Sequence, residues 1–284
     1  MSTDTKTWPL ADAGPAAGQR QLQDFVESHQ RLYVLTGAGC STDSGIPDYR
    51  DRQGGWKRPP PVTYQAFMGE LATRQRYWAR SLVGWRRFGQ ARPNGTHRAL
   101  AAQEMQGRLE LLLTQNVDGL HQRAGQQQVI DLHGRLDQVR CMGCERRLAR
   151  ADFQQQLVAR NPAWAMLDAI DAPDGDAYLD EQDFSGFDVP ACPHCGGLLK
   201  PDVVFFGENV PRERVEAANR HLQQADAMLV VGSSLMVFSG YRFVLAASRL
   251  GLPIAAVNMG HTRADALFAL KLEQPCAQAL AFLL

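Results

Sequence analysis

The stretch at residues 36–51, TGAGCSTDSGIPDYRD, limits the fold of this chain more than any other part of the sequence. It directly follows the apolar residues 32–35, which are typical of a buried strand. Glycines in that place let the backbone approach a ligand closely, and successive amide groups there can bind phosphate, although ordinary strand-to-helix turns contain them too. Thr42 stands where the GxGxxG fingerprint needs its third glycine, so this is a different loop. The acid, aromatic and arginine that follow indicate chemistry on a nucleotide.

Strand-like and helix-like segments alternate along most of the chain. This alternation predicts an α/β protein with a doubly wound, Rossmann-like parallel sheet. Residues 200–208 are expected to return to that sheet after an insert. Strands are predicted at residues 32–35, 109–113, 129–132, 227–231 and 253–257, and helices at 19–30, 63–90, 96–105, 211–224 and 239–250.

Two segments interrupt the alternation and predict inserts. Residues 59–95 are helix-like and aromatic, and we expect a small helical module there. Residues 137–199 contain two Cys-x-x-Cys pairs and are expected to form a second module. We therefore predict a mobile N-terminal arm at 1–18 and a Rossmann-like domain made of 19–58, 96–136 and 200–284.

The two Cys-x-x-Cys pairs predict a metal site. Four thiolates in two matched pairs suit the tetrahedral geometry of structural zinc, with a redox dithiol or free thiols as the alternatives. The gap of 47 residues between the pairs must form its own substructure. His194 lies between two of the cysteines but is read as a bystander, since four sulfurs complete the coordination sphere. The predicted zinc ligands are Cys141, Cys144, Cys192 and Cys195.

Composition excludes several classes of function. Lys+Arg and Asp+Glu are both 30 and the pI is about 7.0, so nothing marks nucleic acid as a partner. No apolar run approaches the length of a membrane span. The N-terminal residues contain neither an apolar signal region nor an arginine-rich presequence, so we expect a cytoplasmic protein without a membrane partner.

Several motifs together resemble one known family, the sirtuins, which are NAD-dependent protein-lysine deacylases. Their order and spacing match from about residue 19 to the C-terminus. The long gap between the cysteine pairs and the run from Arg76 to Trp85 resemble the class II branch, which includes the mitochondrial lipoamidase-type sirtuin of animals, and we expect a bacterial member. The matching motifs are Gly45-Ile46-Pro47-Asp48-Tyr49-Arg50, Gln115-Asn116-Val117-Asp118, His133-Gly134, the cysteine pairs, Val204-Phe205-Phe206-Gly207-Glu208, Gly232-Ser233-Ser234 and Asn258.

The resemblance implies an NAD site. Glycine and serine turns would hold the phosphates, Arg50 would add charge on the pyrophosphate side, and Gln115 and Asn116 would orient the nicotinamide ribose. Asp48 and Asp118 would bind the carboxamide. The residues implied to contact NAD are Gly37, Ala38, Gly39, Asp48, Tyr49, Arg50, Gln115, Asn116, Asp118, Gly232, Ser233, Ser234, and on the adenosine side Asn258, Met259, Gly260 and Cys276.

The resemblance also implies a reaction: nicotinamide is cleaved from NAD and the acyl group of a lysine is transferred to ADP-ribose. His133 would be the general base that activates a ribose hydroxyl, and Asn116 would share the catalytic site. The ordinary pKa of histidine, about 6.5, suits a base at neutral pH. Outside this family pattern, His133 would be read as a loop residue, and Asn116 and Asp118 as turn formers.

On the substrate side the resemblance implies that an acyl-lysine peptide adds as an extended strand, so acyl-lysine proteins are the expected partners of a monomeric enzyme. The residues implied to contact the peptide are Val204, Phe205, Gly207, Glu208 and Val237. Tyr77 and Arg80 resemble the pair that receives an acidic acyl group in desuccinylating sirtuins. The alternatives are that the helix is merely rich in arginine, that Tyr77 belongs to the core, or that the acyl tunnel is wide and unselective.

Two other functions compete with deacylation. The same NAD site could transfer ADP-ribose to a protein side chain, but His133 would then have little to do. A zinc-bearing module that senses NAD without catalysis is the third reading, and the presence of both His133 and Asn116 argues against it.

Overall fold

The computed structural model of the chain describes residues 15–57, 61–169, 175–179 and 182–284. Residues 1–14 of the predicted N-terminal arm lie outside these ranges. The prediction is wrong for residues 15–18, because the first helix already begins at Pro15. Gly18 is buried, and a Cβ there would lie 3.6 Å from the Leu272 side chain, so this turn of the helix packs on the domain.

In the described residues, helices and strands alternate over most of the Rossmann-like part, and short 3₁₀ turns lie at Ala38–Cys40, Thr42–Ser44, Asp265–Leu267 and Ala281–Leu283. The strands are β1 (Leu32–Thr36), β2 (Leu109–Thr114), β3 (Val129–Asp131), β4 (Gly134–Cys141), β5 (Arg147–Ala149), β6 (Leu199–Val203), β7 (Ala227–Val231), β8 (Ile254–Val257) and β9 (Leu270–Leu272). The helices are α1 (Pro15–Glu27), α2 (Tyr64–Gly69), α3 (Leu71–Phe88), α4 (Gly95–Met105), α5 (Leu120–Arg123), α6 (Arg150–Arg160), α7 (Pro162–Ala165), α8 (Arg212–Leu222), α9 (Phe238–Arg249) and α10 (Cys276–Ala279).

Six strands form a parallel sheet in the order β3-β2-β1-β7-β8-β9. Counted within this sheet the order is 3-2-1-4-5-6, that of the Rossmann fold, with its switch point between β1 and β7. This confirms the predicted fold class. The sequence reading missed β9, because three residues are too few to show a period.

Both faces of the parallel sheet are covered by helices. Leu32 and Val34 of β1 pack in the apolar cluster that includes residues of α1, α4 and α10. Tyr33 and Leu35 point the other way, into the cluster built with α8 and α9. Because successive side chains of a strand alternate between faces, a strand that is apolar throughout must be covered on both sides.

A second, three-stranded antiparallel sheet has the order β5-β4-β6. The expectation that residues 200–208 return to the parallel sheet is therefore wrong, since Leu199–Val203 pairs with β4 instead. Both strands lie next to a cysteine pair, and Cys141 stands opposite Leu199 in the register. The two predicted zinc-binding pairs therefore adjoin neighbouring strands.

The helical insert consists of α2 and α3, separated at Glu70, rather than one continuous helix. Thr63 caps α2 by accepting from the Ala66 amide. Trp78 of α3 is fully buried, and its indole nitrogen donates to the Leu199 carbonyl at 3.3 Å, so the insert packs against the second sheet. None of the described helices combines the length and apolar character required to cross a membrane.

Candidate active site

A cavity of about 900 Å³ lies at the carboxyl edge of the parallel sheet, between that sheet and the two inserts. It brings together almost all of the predicted cofactor and substrate residues, although they come from distant parts of the chain. Those that line it are Gly37, Ala38, Gly39, Asp48, Tyr49, Arg50, Tyr77, Arg80, Gln115, Asn116, Asp118, His133, Val204, Phe205, Gly207, Glu208, Gly232, Ser233, Ser234, Val237, Asn258, Met259 and Cys276.

Two glycine turns meet at the switch point of the sheet. The Gly39 amide donates to the Gly232 carbonyl at 2.8 Å. A Cβ on Gly37 would lie 2.8 Å from the Ser233 Cβ, and one on Gly39 would lie 2.9 Å from the Gly232 Cα. The two backbones can approach this closely only because glycine has no side chain. Backbone amide groups of turns at such a point can bind phosphate.

Asn116 and Asp118 are tied to the glycine loop. The Asn116 side-chain nitrogen donates to the Gly37 carbonyl at 3.0 Å and to the Ser41 hydroxyl at 3.1 Å. Ser41 in turn donates to Asp118 Oδ2 at 2.7 Å. Burial raises the pKa of Asp118, while the donors from Leu120 and Ser41 oppose that rise. Ser41 was not among the predicted site residues, because a serine in a loop gives no signal of its own.

The imidazole of His133 is held from both sides. Nδ1 lies 3.0 Å from the Gln115 carbonyl, which can only accept, so Nδ1 carries the proton. Nε2 therefore has the free lone pair and accepts from the Ser239 hydroxyl at 2.7 Å. Burial lowers the pKa of His133 to about 4, so the ring is neutral at physiological pH. The arrangement presents Nε2 as a base, and Ser239 is a site residue that the sequence reading missed.

Further contacts connect the base to its neighbours. The Val204 amide donates to the His133 carbonyl at 2.8 Å, so the implied peptide-binding segment is attached to the base. The Gln115 side-chain oxygen accepts from the Ser233 hydroxyl at 2.6 Å. A Cβ on Gly240 would lie 2.5 Å from the side-chain nitrogen of Gln115, so only glycine leaves space for the Gln115 amide at this position.

The acid, aromatic and arginine of the first loop are held mainly within the loop itself. Asp48 forms an ion pair with Lys57. Arg50 donates to the Gly54 carbonyl at 2.8 Å, and its guanidinium lies 3.9 Å from the centre of the Trp56 ring. Lys57 and Trp56 thus shape the loop, although neither was predicted to belong to the site.

On the implied adenosine side, Asn258 is buried and donates to the Met259 carbonyl at 3.2 Å. Gly260 does not line the cavity. Its φ is +84°, and a Cβ there would lie 2.3 Å from the Arg52 carbonyl oxygen, so the residue forms a turn that only glycine fits. Cys276 begins α10 and is buried.

The implied peptide-binding segment is fixed by a buried ion pair. Lys200 is 3% exposed and its Nζ lies 3.0 Å from Glu208 Oε2. The same carboxylate oxygen accepts from the Phe205 amide at 2.9 Å. The sequence analysis did not predict Lys200 as a site residue, because its role depends on the contact with Glu208, eight residues further along the chain.

Tyr77 and Arg80 of α3 both line the cavity, but their surroundings differ. Tyr77 is buried against Phe205, with ring centres 5.4 Å apart. Arg80 Nε lies 2.8 Å from the Ala177 carbonyl and 3.2 Å from Asp176 Oδ2. Burial raises the pKa of Asp176 to about 7, against the lowering effect of Arg80.

The four predicted zinc ligands converge at the ends of β4 and β6, away from the cavity. Their sulfur atoms all lie within 4.8 Å of one another, and none forms a disulfide. Cys141 and Cys195 have sulfurs 3.4 Å apart, and Cys144 and Cys192 3.8 Å. A tetrahedron with zinc–sulfur bonds of about 2.3 Å requires roughly 3.8 Å between sulfurs, so the donor set fits zinc.

Comparison with known proteins places this geometry in a family. Residues 37–239 match the model of the Sir2 family. An NAD-dependent protein deacetylase of Xanthomonas campestris pv. campestris (strain 8004) is 73% identical over 277 residues, covering 98% of this chain and 93% of the relative. NAD-dependent protein deacetylase 2 of Bradyrhizobium diazoefficiens is 68% identical over 270 residues, covering 95% and 98%. A solved structure described as Sir2-p53 peptide-NAD+ has 30% identity and a TM-score of 0.73, covering 93% of this chain and 96% of that one.

Proposed function

This chain belongs to the Sir2 family, the sirtuins, and from that premise we propose that it is an NAD-dependent protein-lysine deacylase that transfers the acyl group to ADP-ribose. The observation that carries the proposal is the neutral His133, whose Nε2 lone pair lies in the cavity wall beside Asn116 and the glycine turns. A binding module would not need a base in this tautomer.

The residues present fit NAD. Gly37, Gly39 and Gly232 bring two backbones together where a side chain would not fit, and the neighbouring serines Ser233 and Ser234 line the cavity. We propose that these turns hold the phosphates, and that Asn116 and Asp118 hold the nicotinamide side. When bound, NAD supplies a ribose carbon that becomes electrophilic as nicotinamide leaves.

In this proposal the role of His133 is to take a proton from a ribose hydroxyl at Nε2. The Gln115 carbonyl keeps the proton on Nδ1 and so keeps Nε2 unprotonated. The low pKa makes the ring a weak base, so the transfer relies on positioning close to the hydroxyl rather than on basicity.

The acyl-lysine peptide is proposed to lie between Gly207-Glu208 and Val237, with backbone hydrogen bonds as in an added strand. The ion pair of Lys200 with Glu208 and the Val204–His133 contact support this by fixing one side of the groove relative to the base. Tyr77 and Arg80 are proposed to line the acyl end of the pocket.

Zinc is proposed to be structural. Its four cysteines lie outside the cavity lining, next to β4 and β6, whereas His133, Leu136 and residues 203–208, in or beside the same strands, do line it. We further propose a monomer in the bacterial cytoplasm. The reported relatives are bacterial. The large exposed apolar side chains of the described residues are distributed over several elements: Leu71, Met105, Val158, Met166, Phe238, Leu250, Met259 and Leu284.

The test is to incubate the protein with NAD and an acetyl-lysine peptide and to weigh all products. Deacylation predicts free lysine peptide, nicotinamide and acetyl-ADP-ribose in equal amounts. A peptide or protein heavier by one ADP-ribose unit, without deacetylation, would support ADP-ribosyl transfer instead. If no nicotinamide is released with any acyl peptide, the enzyme proposal fails.

A further inference from the structure

A short segment of the zinc-bearing insert, residues 175–179, forms part of the cavity wall beside α3. Asp176 and Tyr178 line the cavity, and Ala177 between them is fully buried. The backbone of Asp176 packs directly on Gly84 of α3, where a Cβ would lie 2.4 Å from the Asp176 carbonyl carbon and oxygen. Glycine at position 84 thus permits the contact, which sets Asp176 beside the helix.

Arg80 lies one helical turn before Gly84 and contacts the same segment. Its Nε lies 2.8 Å from the Ala177 carbonyl and 3.2 Å from Asp176 Oδ2. The side chains of both partners are largely buried, with 21% of Arg80 and 15% of Asp176 exposed. Asp176 Oδ1 is buried and has no hydrogen-bond partner among the described residues. Arg80 is thus the ion-pair partner of the Asp176 carboxylate, and the Ala177 backbone amide also favours its charged form.

We propose that Asp176 is a specificity-determining residue: it supplies from the protein itself the carboxylate that Arg80 would otherwise receive from an acidic acyl chain, and so directs the pocket to neutral acyl groups. The inference rests on the proposed deacylase function. It reverses the acidic preference implied by the resemblance of Tyr77 and Arg80 to the desuccinylating pair.

A substrate carboxylate that approaches Arg80 is attracted by the guanidinium and repelled by the carboxylate of Asp176 at similar distances, and both effects are strong in a poorly solvated pocket. The substrate still loses its hydration on entering. An acidic chain therefore gains little, while a neutral chain avoids both the repulsion and most of the desolvation. Arg76 lines the same cavity but is exposed, so solvent screens its charge.

The two polar contacts that tie Arg80 to this segment are measured from Nε, and the guanidinium carbon lies 5.7 Å from the centre of the Tyr178 ring. The guanidinium can take a substrate carboxylate once the charge of Asp176 is removed. This makes Asp176→Asn the informative change, since it removes the charge and keeps the shape.

The experiment compares kcat/KM for succinyl-lysine and acetyl-lysine versions of one peptide at pH 8.5, where Asp176 is ionised. We expect the wild type to prefer the acetyl peptide. Asp176→Asn should raise the succinyl-to-acetyl ratio by about tenfold or more, equivalent to about 1.4 kcal/mol. Adding Arg80→Met to Asp176→Asn should abolish that gain. Asp168→Asn is the matched control, because Asp168 is an exposed acid of the same insert that pairs with Arg87.

Gly84→Ala provides an independent variant, since its Cβ displaces the Asp176 backbone, and it should shift the ratio in the same direction. Melting temperatures of all variants show whether they are folded. A wild type that prefers the succinyl peptide, or an unchanged ratio in the folded variants, overturns the inference while acetyl turnover leaves the deacylase proposal standing. Failure of the wild type to deacylate either peptide would instead overturn the proposed function.

Discussion

Nε2 of His133 lies 2.7 Å from the hydroxyl oxygen of Ser239, the second residue of α9. The opposite ring nitrogen donates to the Gln115 carbonyl. In the described structure a serine thus occupies the hydrogen-bonding position that a substrate hydroxyl must take for His133 to act as a base. His133 already has the tautomer that a base requires. When the substrate binds, its hydroxyl has to replace the Ser239 hydroxyl at Nε2.

Replacing His133 by Ala should lower deacylation by roughly 10²–10⁴-fold, which is the usual contribution of one positioned base. NAD affinity should stay close to that of the wild type, because the cofactor turns do not depend on the ring. The measurements are kcat/KM with an acetyl-lysine peptide and the Kd of NAD from calorimetry. His261→Ala, at an exposed histidine, serves as the control. Comparable turnover in His133→Ala would remove this residue from the mechanism.

The pH dependence of kcat/KM should reflect the low pKa of His133. A base works only when neutral, and burial lowers the pKa of this ring to about 4, so its activity should persist from pH 8 down to about 5.5. The Ser239 hydroxyl donates to Nε2 and so stabilises the neutral ring. Ser239→Ala should therefore move the acid limb upward, toward the ordinary value of about 6.5. An identical profile in the variant would show that Ser239 does not tune the base.

The fold was largely predictable because its signals are local. Apolar runs predict five of the six strands of the parallel sheet, and their alternation with helices predicts a sheet covered by helices on both faces. The errors lie where tertiary contacts decide. Leu199–Val203 reads as another strand of the large sheet, and only its pairing with β4 shows otherwise. Gly18 looks like part of a loose arm, but it is buried against Leu272.

The site was predictable where motif residues carry it and not where it depends on contacts across the chain. Asn116 and His133 stand in recognisable runs, and both line the cavity. Ser239 contacts a residue 106 positions away, and Asp176 lies 96 positions from Arg80 in a segment without regular structure. No spacing rule connects such pairs, so only the folded chain reveals them.

Removing the metal should destabilise the protein before it affects the chemistry. The four cysteine sulfurs lie within 4.8 Å of one another, next to β4 and β6, and outside the cavity lining. Because structural zinc contributes folding free energy directly, a chelator should lower the melting temperature by several degrees. We expect about one zinc per chain by elemental analysis. Protein that contains no metal when freshly purified, and melts identically with and without chelator, would contradict the structural role.

Two buried histidines should make stability depend on pH. The ring centres of His97 and His121 lie 4.7 Å apart, and burial lowers the pKa of His97 to about 4 and that of His121 well below its ordinary value. Below about pH 6.5 these two histidines bind protons in the unfolded chain but stay neutral in the folded chain. Stability is therefore complete above pH 6.5 and falls as the pH approaches 4, by about 3 kcal/mol for His97 alone.

Melting temperatures between pH 8 and 5 check this expectation. His97→Gln should flatten the dependence, and it should also lower the melting temperature at pH 8, since the ring accepts from the Asn94 amide at the start of α4. His261→Gln, the same substitution at an exposed histidine, is the comparison variant. A slope unaffected by His97→Gln would mean that other groups control the acid sensitivity.

The acyl preference should itself change with pH. Burial raises the pKa of Asp176 to about 7, so this carboxyl becomes neutral as the pH falls from 8.5 to 6 and stops repelling an acidic chain. Arg80 and Arg76 are the cations of α3 that act on Asp176, and both lower its pKa. Tyr77 stays neutral because burial raises its pKa further.

The succinyl-to-acetyl ratio of kcat/KM should therefore rise as the pH falls, by up to about tenfold. Protonation of His133 affects both substrates alike and cancels in the ratio. The measurement is this ratio at pH 8.5, 7.5, 6.5 and 6 in the wild type and in Asp176→Asn. The variant should show a high ratio that does not change with pH, because it has no carboxyl to titrate. A ratio that is flat in the wild type, or that varies equally in both proteins, would assign the pH dependence to the substrate and not to Asp176.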